Sequence, residues 1–443
     1  MFSNSLTRRK FLKTLGAACG AACGAACVPA LPSFAAPLTG RKITLRVRQD
    51  FVYNTLMDAF LGTFNKNSRD IRAISSYHPP EKDWSEERAA ADRVPEKLTG
   101  GEDYEIFITH STNLARMADE GMVEPLDSHL GTGELAAADF HTSRYGGVLD
   151  SVTYRGKIWA LPITATPYAL FCNLDIFERG MATGGASLPV ATWDNTLAAA
   201  RKMVIDTDGD GAPDIFGYSQ CSFQFPLQVL TAGLELVDLK NKRVTFDSEA
   251  GVDALELYAN LKACSPPHVD FERGDMGMKI SVTTNAFGRY DNIRHKIVPL
   301  PRGAVRANSY GDSDAALVAG IRGGDAETCG AAYRFLEWLL SEKAYFKLTR
   351  WFRHLPLRKS ILAGERFAAH LEKFPQLVPF LDEMEYAIAK PCIPEYNFIS
   401  IVLREVLYPV QVDPPEVTTR AEMAEFLKRQ ADRCNERLAK ATW

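Results

Sequence analysis

Apolar and polar residues alternate near the start of the chain and then recur at helical spacing. Residues 42–48 alternate in this way, which predicts a strand with one buried face, and residues 51–65 carry apolar residues at four-residue spacing, which predicts an amphipathic helix. Two short apolar runs, 71–76 and 104–108, predict further strands, and the charged segment 84–98 predicts a surface helix. Alternating strands and helices indicate a parallel α/β sheet, with ligands at the carboxyl ends of its strands.

The same patterns continue through the rest of the chain. The predicted elements are a strand at 158–163, a helix capped by Thr192, a capped amphipathic helix at 245–263, a strand at 278–282, one long helix at 323–348 and a capped, charge-rich helix at 418–443. The sequence contains neither a low-complexity linker nor an internal repeat. We therefore expect two interwoven α/β lobes.

Length and charge limit the classes of function. The chain has 443 residues, 46% of them hydrophobic, which favours two or three domains. The net charge of −4 gives no reason to expect a nucleic-acid partner. Beyond the N-terminus, no apolar run reaches the roughly 18–20 residues that a membrane span needs. We expect no membrane span in the mature chain.

The N-terminal segment carries an export pattern. Arg8 and Arg9 precede a weakly hydrophobic Ala/Gly/Cys stretch and small residues that end at Ala35. This order resembles a twin-arginine signal cleaved after Ala35, which predicts a periplasmic protein. Each cysteine of this stretch has Gly three residues before it, where a lipoprotein signal prefers Leu, so a lipid anchor is the less favoured alternative.

Six further cysteines leave two interpretations open. They are Cys172, Cys221, Cys264, Cys329, Cys392 and Cys434. In an oxidising compartment they would form up to three disulfides, and isolated buried thiols are the alternative. None of them forms a CxxC pair, and no histidines cluster nearby at zinc spacing, so a zinc site is not favoured.

Residues 206–214 read DTDGDGAPD and resemble a calcium loop. Asp206, Asp208, Asp210 and Asp214 would supply carboxylate ligands, with Gly211 at the turn. The glutamate that completes an EF-hand loop is missing, but shorter calcium repeats do without it. The loop predicts either a structural calcium ion or an ordinary Asp/Gly turn. No cofactor is required, and any calcium would brace the lobe away from the ligand.

Five segments, in order, resemble the sugar-binding family of ABC-importer solute-binding proteins. They are YRGKIWALPITATPYALFCNLDIFERG (154–180), TWDNTLAAARKM (192–203), FERGDMGMKISV (271–282), SYGDSDAALVAG (309–320) and RHLPLRKS (353–360). The resemblance covers most of the chain. The family's pattern has Lys where this sequence has Asp275.

The resemblance implies a two-lobed α/β periplasmic binding protein fold of the type II-like class, with the ligand in a cleft between lobes joined by crossover hinge strands. We place the crossings at 165–168, 300–303 and 355–358, where Pro and Gly interrupt the patterns. After the signal at 1–35, the predicted N-terminal lobe comprises 41–165 and 301–355, and the C-terminal lobe comprises 166–300 and 356–443.

The resemblance also implies a function. The protein would be a monomer that captures a sugar or polyol by lobe closure and delivers it to the permease of an ABC importer. A polyamine, a phosphate ester or another charged solute is the alternative on the same fold. A sensory or adhesive module, and an exported glycosidase, are weaker alternatives. The chain shows no catalytic motif. This does not exclude a glycosidase, because its two carboxylates leave no local signature.

Sugars need flat apolar faces for their C–H surfaces and hydrogen-bonding side chains for their hydroxyls. Loops after strands, together with the crossings, are expected to supply both. The candidate ligand-binding residues are Gln49, Asp50, His110, Ser111, Thr166, Tyr168, Thr284, Asn285, Tyr310, Asp312 and Trp351, with Phe223 and Phe225 as weaker candidates.

Some candidates also have a purely structural interpretation. His110 would cap the next helix, and Tyr168 and Trp351 would be core aromatics. Asp50 and Asp312 would be turn residues. Because the candidates combine acids, amides and aromatics, the sequence favours a saccharide over a charged solute.

Overall fold

The computed structural model describes most of the chain. The described residues are 42–49, 54–77, 104–127, 130, 136–181, 188, 190–221, 223–268, 270–311, 317–322, 324–412 and 415–443. Outside them lie the predicted export signal, the predicted helix at 84–98, Asp50 and Asp312.

Strands and helices alternate over most of this length. The strands are β1 (Ile43–Gln49), β2 (Ile71–Tyr77), β3 (Ile106–His110), β4 (Leu161–Thr164), β5 (Tyr168–Asn173), β6 (Met278–Val282), β7 (His295–Val298), β8 (Asn308–Ser309), β9 (Leu317–Ile321) and β10 (Ala387–Ile388), with two-residue hairpins at Thr142–Ser143/Gly146–Gly147, Thr153–Tyr154/Lys157–Ile158 and Val237–Asp238/Arg243–Val244. The α-helices are α1 (Asn54–Asn67), α2 (Leu114–Asp119), α3 (Leu174–Met181), α4 (Trp193–Lys202), α5 (Gln224–Thr231), α6 (Glu249–Lys262), α7 (Ala326–Leu340), α8 (Glu342–Phe352), α9 (Lys359–Leu362), α10 (Glu365–Lys373), α11 (Val378–Met384), α12 (Tyr396–Glu405), α13 (Tyr408–Gln411) and α14 (Arg420–Leu438).

The first lobe is built on a five-stranded sheet in the order β2-β1-β3-β9-β4. Strands β1, β2 and β3 are parallel, as the alternation predicts, whereas β9 is antiparallel to both β3 and β4. The prediction of a parallel sheet is therefore wrong at β9, whereas β4, which is antiparallel to β9, runs in the same direction as β3. The reason is that β9 enters the sheet from the second lobe, against the direction of β3.

The apolar spacing of α1 buries Phe60 and Phe64 against α7. Phe60 lies 4.8 Å from Trp338 and Phe64 lies 5.0 Å from Phe335, measured between ring centroids. The single helix predicted at 323–348 is wrong, because Ser341 adopts ψ 144° and separates α7 from α8. The Ser341 hydroxyl donates to the carbonyl of Trp338 at 2.7 Å, and serine commonly competes with the helix backbone in this way.

The second lobe contains the antiparallel sheet β6-β5-β7, covered on both faces. Alternate residues of β5 enter different hydrophobic clusters: Leu170 packs with α4, whereas Phe171 packs with Tyr290 and α11. The predicted cap of α4 is confirmed, because the Thr192 hydroxyl accepts a bond from the Asn195 amide at 3.2 Å. A hydrophobic cluster of α5, α6, α12 and α14 completes this lobe.

Three segments pass side by side between the two sheets. Ala165 and Leu355 exchange backbone bonds of 3.0 and 2.9 Å, and the Thr166 amide donates to the carbonyl of Tyr310 at 2.9 Å. The predicted crossing at 300–303 is displaced, because Arg302 instead bonds with the backbone at Ala191 and Trp193 in the second lobe. The exact lobe boundaries stay a prediction.

Two further properties concern the described residues. Within them, no helix combines the length and the apolar character that crossing a bilayer requires. All six cysteines that they include are free thiols, and four of these are buried.

Candidate functional site

A cavity of about 610 Å³ lies in the second lobe beside β6. Its walls come from β6, the turn after it, and the segments before α5 and after α6. Val282, at the carboxyl end of β6, lines the cavity and pairs with Tyr168, the last residue of the predicted crossing at 165–168. One end of the cavity therefore lies beside the first crossing, at the junction of the lobes, and all of its described lining residues belong to the second lobe.

Two aromatic rings form one side of this region. Phe223 lines the cavity and stacks on Tyr168, with ring centroids 4.4 Å apart and an interplanar angle of 26°. Tyr168 itself is only 1% exposed, so its ring supports Phe223 from behind. A supported aromatic face is the surface on which the C–H side of a sugar ring packs. The weaker candidate Phe225 is fully buried in the helical cluster.

The turn after β6 supplies polar groups. Thr283–Ala286 form a 3-10 helix, and Asn285 lines the cavity. The Asn285 amide donates to the Ser281 hydroxyl at 2.6 Å, and its carbonyl oxygen accepts a 3.4 Å bond from Arg289. Thr284 is half-buried in the same turn. Of the predicted residues, the structure thus places Asn285 on the cavity wall and Tyr168 behind the wall residue Phe223, whereas Thr284 is not among the described lining residues.

A buried polar network fixes the start of β5. The Asn308 side chain accepts from the Tyr168 amide at 3.1 Å and donates to the Tyr168 carbonyl at 2.8 Å. It also donates to Glu383 at 2.7 Å, and Glu383 accepts a 2.7 Å bond from Arg306. Sequence reasoning missed these residues, because they lie far apart along the chain and share no motif.

Two glutamines of α5 are also absent from the predicted site. Gln224 and Gln228 are 0% and 2% exposed, and among the described residues neither side-chain amide has a hydrogen-bond partner. Gln224 directly follows Phe223, and Gln228 lies one helical turn later. Two glutamines at i and i+4 in an otherwise apolar helix are a visible signal, since buried amides normally find partners.

The first-lobe candidates lie at the end of its sheet. Gln49 ends β1, with its backbone paired to Tyr77 and Ile108, and His110 ends β3. Ser111 is buried in the next turn. The His110 side chain makes no cap bond to that turn, and its Nδ1 is buried without a partner among the described residues.

Two predicted aromatics are occupied by structural contacts. The Tyr310 hydroxyl lies 3.0 Å from Nδ1 of His141, and both side chains are buried. Trp351 packs against Phe60 of α1, with ring centroids 6.4 Å apart, and carries the Lys347 ammonium 4.3 Å above its ring. Trp351 therefore lies in the helical layer of the first lobe. Thr166 is 5% exposed beside Tyr310.

The aspartate loop is well formed and exposed. Carboxylate oxygens of Asp206, Asp208 and Asp210 lie within 4.8 Å of one another. Asp206 accepts backbone bonds from Gly209 at 2.6 Å and from Gly211 at 2.9 Å, and these bonds, chiefly the one from Gly211, lower its pKa. Asp214 turns back to accept from the Thr207 backbone at 2.8 Å, so it is occupied within the loop.

Comparisons with known proteins agree on the fold. The sequence profile of the family described as bacterial extracellular solute-binding protein matches residues 79–375, well over half of the chain. The structure is similar to a cyclic alpha-maltosyl-1,6-maltose binding protein from Arthrobacter globiformis, with a TM-score of 0.70 and 19% identity over 89% of this chain and 100% of that one.

Two other solved structures are similar to a comparable degree. An ABC transporter solute-binding protein from Thermotoga lettingae, bound with alpha-D-tagatose, has a TM-score of 0.69 and 19% identity over 90% of this chain and 100% of that one. Another from Agrobacterium radiobacter, in complex with ribitol, has a TM-score of 0.67 and 17% identity over 90% of this chain and 100% of that one. These similarities extend over nearly all of each chain and establish the two-lobed fold.

Proposed function

The chain belongs to the bacterial extracellular solute-binding proteins, and on that premise we propose that it is the substrate-binding component of an ABC importer for a sugar or polyol. The observation that carries this proposal is the stacked pair Phe223 and Tyr168 beside Asn285, at the end of a cavity that reaches the junction of the lobes. An apolar ring face next to an amide matches the two faces of a sugar.

The similar proteins support this ligand class. One of the three similar proteins is a cyclic alpha-maltosyl-1,6-maltose binding protein, one is bound with alpha-D-tagatose, and one is in complex with ribitol. We infer that this chain captures its solute without chemical change, which leaves the exported glycosidase as the alternative. The twin-arginine route, the periplasmic location, the monomeric state and the permease partner are parts of the same proposal.

Capture would follow from closure of the lobes. Only a closed form lets the solute contact both lobes, so the solute stabilises that form by its additional contacts. The crossing segments at Ala165, Tyr310 and Leu355 are joined by backbone bonds, which lets the lobes rotate about a fixed line. Asn308 holds the backbone of Tyr168 next to this line, so the aromatic pair keeps its place in either form.

A thermal-shift screen of the mature protein tests the proposal, because a ligand that binds the folded state raises its Tm. We expect a rise with at least one mono- or oligosaccharide or polyol. Phe223→Ala should weaken that ligand about ten-fold or more by removing the stacking face. The matched control is Phe398→Ala on α12, whose ring contacts Arg437 away from the cavity.

Two results would contradict the proposal. Unchanged affinity in Phe223→Ala would reject the aromatic face as the binding surface. Release of a cleaved product from any glycoside, detected by chromatography, would favour the glycosidase alternative.

A further inference from the structure

The two glutamines of α5 carry buried amides that no described residue pairs. In Gln224 and in Gln228, both the oxygen and the nitrogen of the side-chain amide are buried and have no hydrogen-bond partner among the described residues. An unpaired buried amide destabilises the folded state, and native proteins keep few of them. Two on successive turns of one short helix therefore call for an explanation by function.

The two amides share one face of α5. Phe225 and Val229 enter the hydrophobic cluster of α5, α6, α12 and α14, and Leu227 enters the cluster that includes β5 and β6. Gln224 and Gln228 lie on the face between these two, because residues four apart are neighbours on a helix. The amides are thus turned away from the centre of either cluster.

The helix α5 begins at the junction of the lobes. Gln224 directly follows Phe223, whose ring stacks on Tyr168 at the end of the first crossing. The helix also packs on β8, which ends directly before Tyr310 of a neighbouring crossing segment. Neither glutamine is among the described lining residues of the cavity beside β6, so their amides are additional to the polar groups of that cavity.

Thr283 is a third buried polar residue at this junction. It directly follows Val282, which pairs with Tyr168, and it is fully buried. Its hydroxyl also has no partner among the described residues. Unpaired polar groups thus occur next to Tyr168 both at the start of α5 and at the end of β6. Natural proteins keep such locally unfavourable groups chiefly at functional sites.

The chemistry of α5 favours a neutral solute with several hydroxyls. The helix contains no charged residue, so an ion held against it would be buried without an opposite charge. A side-chain amide offers two donors and an acceptor, and each hydroxyl of a sugar or polyol is likewise a donor and an acceptor. Two amides one helical turn apart can therefore pair with neighbouring hydroxyls of one solute.

We propose that Gln224 and Gln228 bind hydroxyl groups of the solute and determine its specificity, next to the ring face that Phe223 provides. This inference rests on the proposed function and names the residues that would recognise a neutral, polyhydroxylated solute. A group at the junction is covered when the lobes meet and accessible when they part, so the solute reaches both amides in the open form. Lobe closure then buries the amides in pairs with hydroxyls.

Calorimetry with matched compounds tests the inference on the mature protein. The probes are neutral hexoses, pentitols and maltose, followed by the monodeoxy derivatives of each compound that binds. We expect the wild type to bind at least one deoxy derivative about ten-fold or more weakly than its parent, because the missing hydroxyl leaves an amide unpaired. Gln224→Met and Gln228→Met should each weaken the parent about ten-fold or more and lose the preference over that derivative.

Thr231→Val on the same helix is the matched control. The Thr231 hydroxyl is buried but paired, since it accepts a 2.8 Å bond from Nε1 of Trp193 and donates to the backbone carbonyl of Gln228 at 3.0 Å. Thr231→Val should therefore lower the Tm and leave the affinity unchanged. Gln228→Met should instead raise the Tm of the solute-free protein while it loses affinity, a combination that a purely structural role would not produce.

The outcomes separate this inference from the proposed function. Binding of a parent compound that both glutamine variants leave unchanged would overturn the inference and keep the proposed function, and it is the result expected if the amides hold only ordered water. Failure of every saccharide and polyol to bind the wild type would overturn the proposed function and the inference with it. Equal loss of affinity in Thr231→Val and Gln228→Met would overturn the assignment to the amides.

Discussion

Replacing Glu383 tests the buried network that anchors the junction of the lobes. The Glu383 side chain is 0% exposed and accepts bonds from Arg306 at 2.7 Å and from Asn308 at 2.7 Å. Breaking a buried ion pair by removing one partner costs about 3–5 kcal/mol. Because Arg306 is 29% exposed and can regain some water, we expect Glu383→Ala to lower the free energy of unfolding by about 3 kcal/mol.

Urea denaturation of the mature protein measures this loss. Glu425 provides the matched control. Its ion pair with Arg429 has an N–O distance of 2.8 Å, similar to that of the Glu383 pair, but the Glu425 side chain is 74% exposed. Glu425→Ala should cost about 0.3–0.5 kcal/mol, as exposed helix pairs do. A loss below about 1 kcal/mol in Glu383→Ala would refute the argument that this network is a buried anchor.

Three further outcomes are expected. Gln228→Met should raise the free energy of unfolding by about 1 kcal/mol in urea denaturation, because it removes a buried amide that has no partner among the described residues, and a loss of stability would contradict this. The Tm should fall as the pH is lowered from 6.5 to 4, because burial lowers the pKa of His141 from 6.5 to about 4. The unfolded chain therefore binds this proton at a higher pH than the folded protein does, and the full stability is present only above pH 6.5. His141→Gln should flatten that part of the pH profile, and an unchanged slope would refute the assignment. If the aspartate loop binds calcium, calcium at 100 times its Kd should stabilise the protein by about 2.7 kcal/mol, seen as a higher Tm that Asp208→Asn removes; an unchanged Tm would reject the calcium prediction.

The sequence predicts strands and helices well where the periodicity of apolar residues coincides with burial. The strand predicted at 278–282 is β6, and the C-terminal helix begins at a capping box in which Glu422 and Thr419 bond reciprocally. Predicted and observed bounds differ by one residue at β1 and by two at β3, since burial patterns do not mark where hydrogen bonding ends. Local periodicity also does not report strand direction, so the antiparallel β9 was not predictable from it.

The site depends on contacts that no local pattern records. The expectation that ligands bind after strands leads to Asn285, and the sequence gives only a weak indication of Phe223, although the structure places both on one cavity. Trp351 lies next to a predicted crossing along the chain, but its ring packs against Phe60 of α1. Asn308 gains its significance only from neighbours distant in sequence.

The distribution of free thiols makes the protein convertible into an optical sensor for its own solute. Cys172, Cys264, Cys392 and Cys434 are buried, which leaves Cys221 in the cavity wall and Cys329 on α7 as the half-exposed thiols of the described residues. A Cys329→Ser variant of the mature chain would direct a thiol-reactive, polarity-sensitive dye to Cys221. Solute that enters the cavity displaces water around the attached dye. The emission of the dye would therefore report occupancy of the cavity without a second reagent.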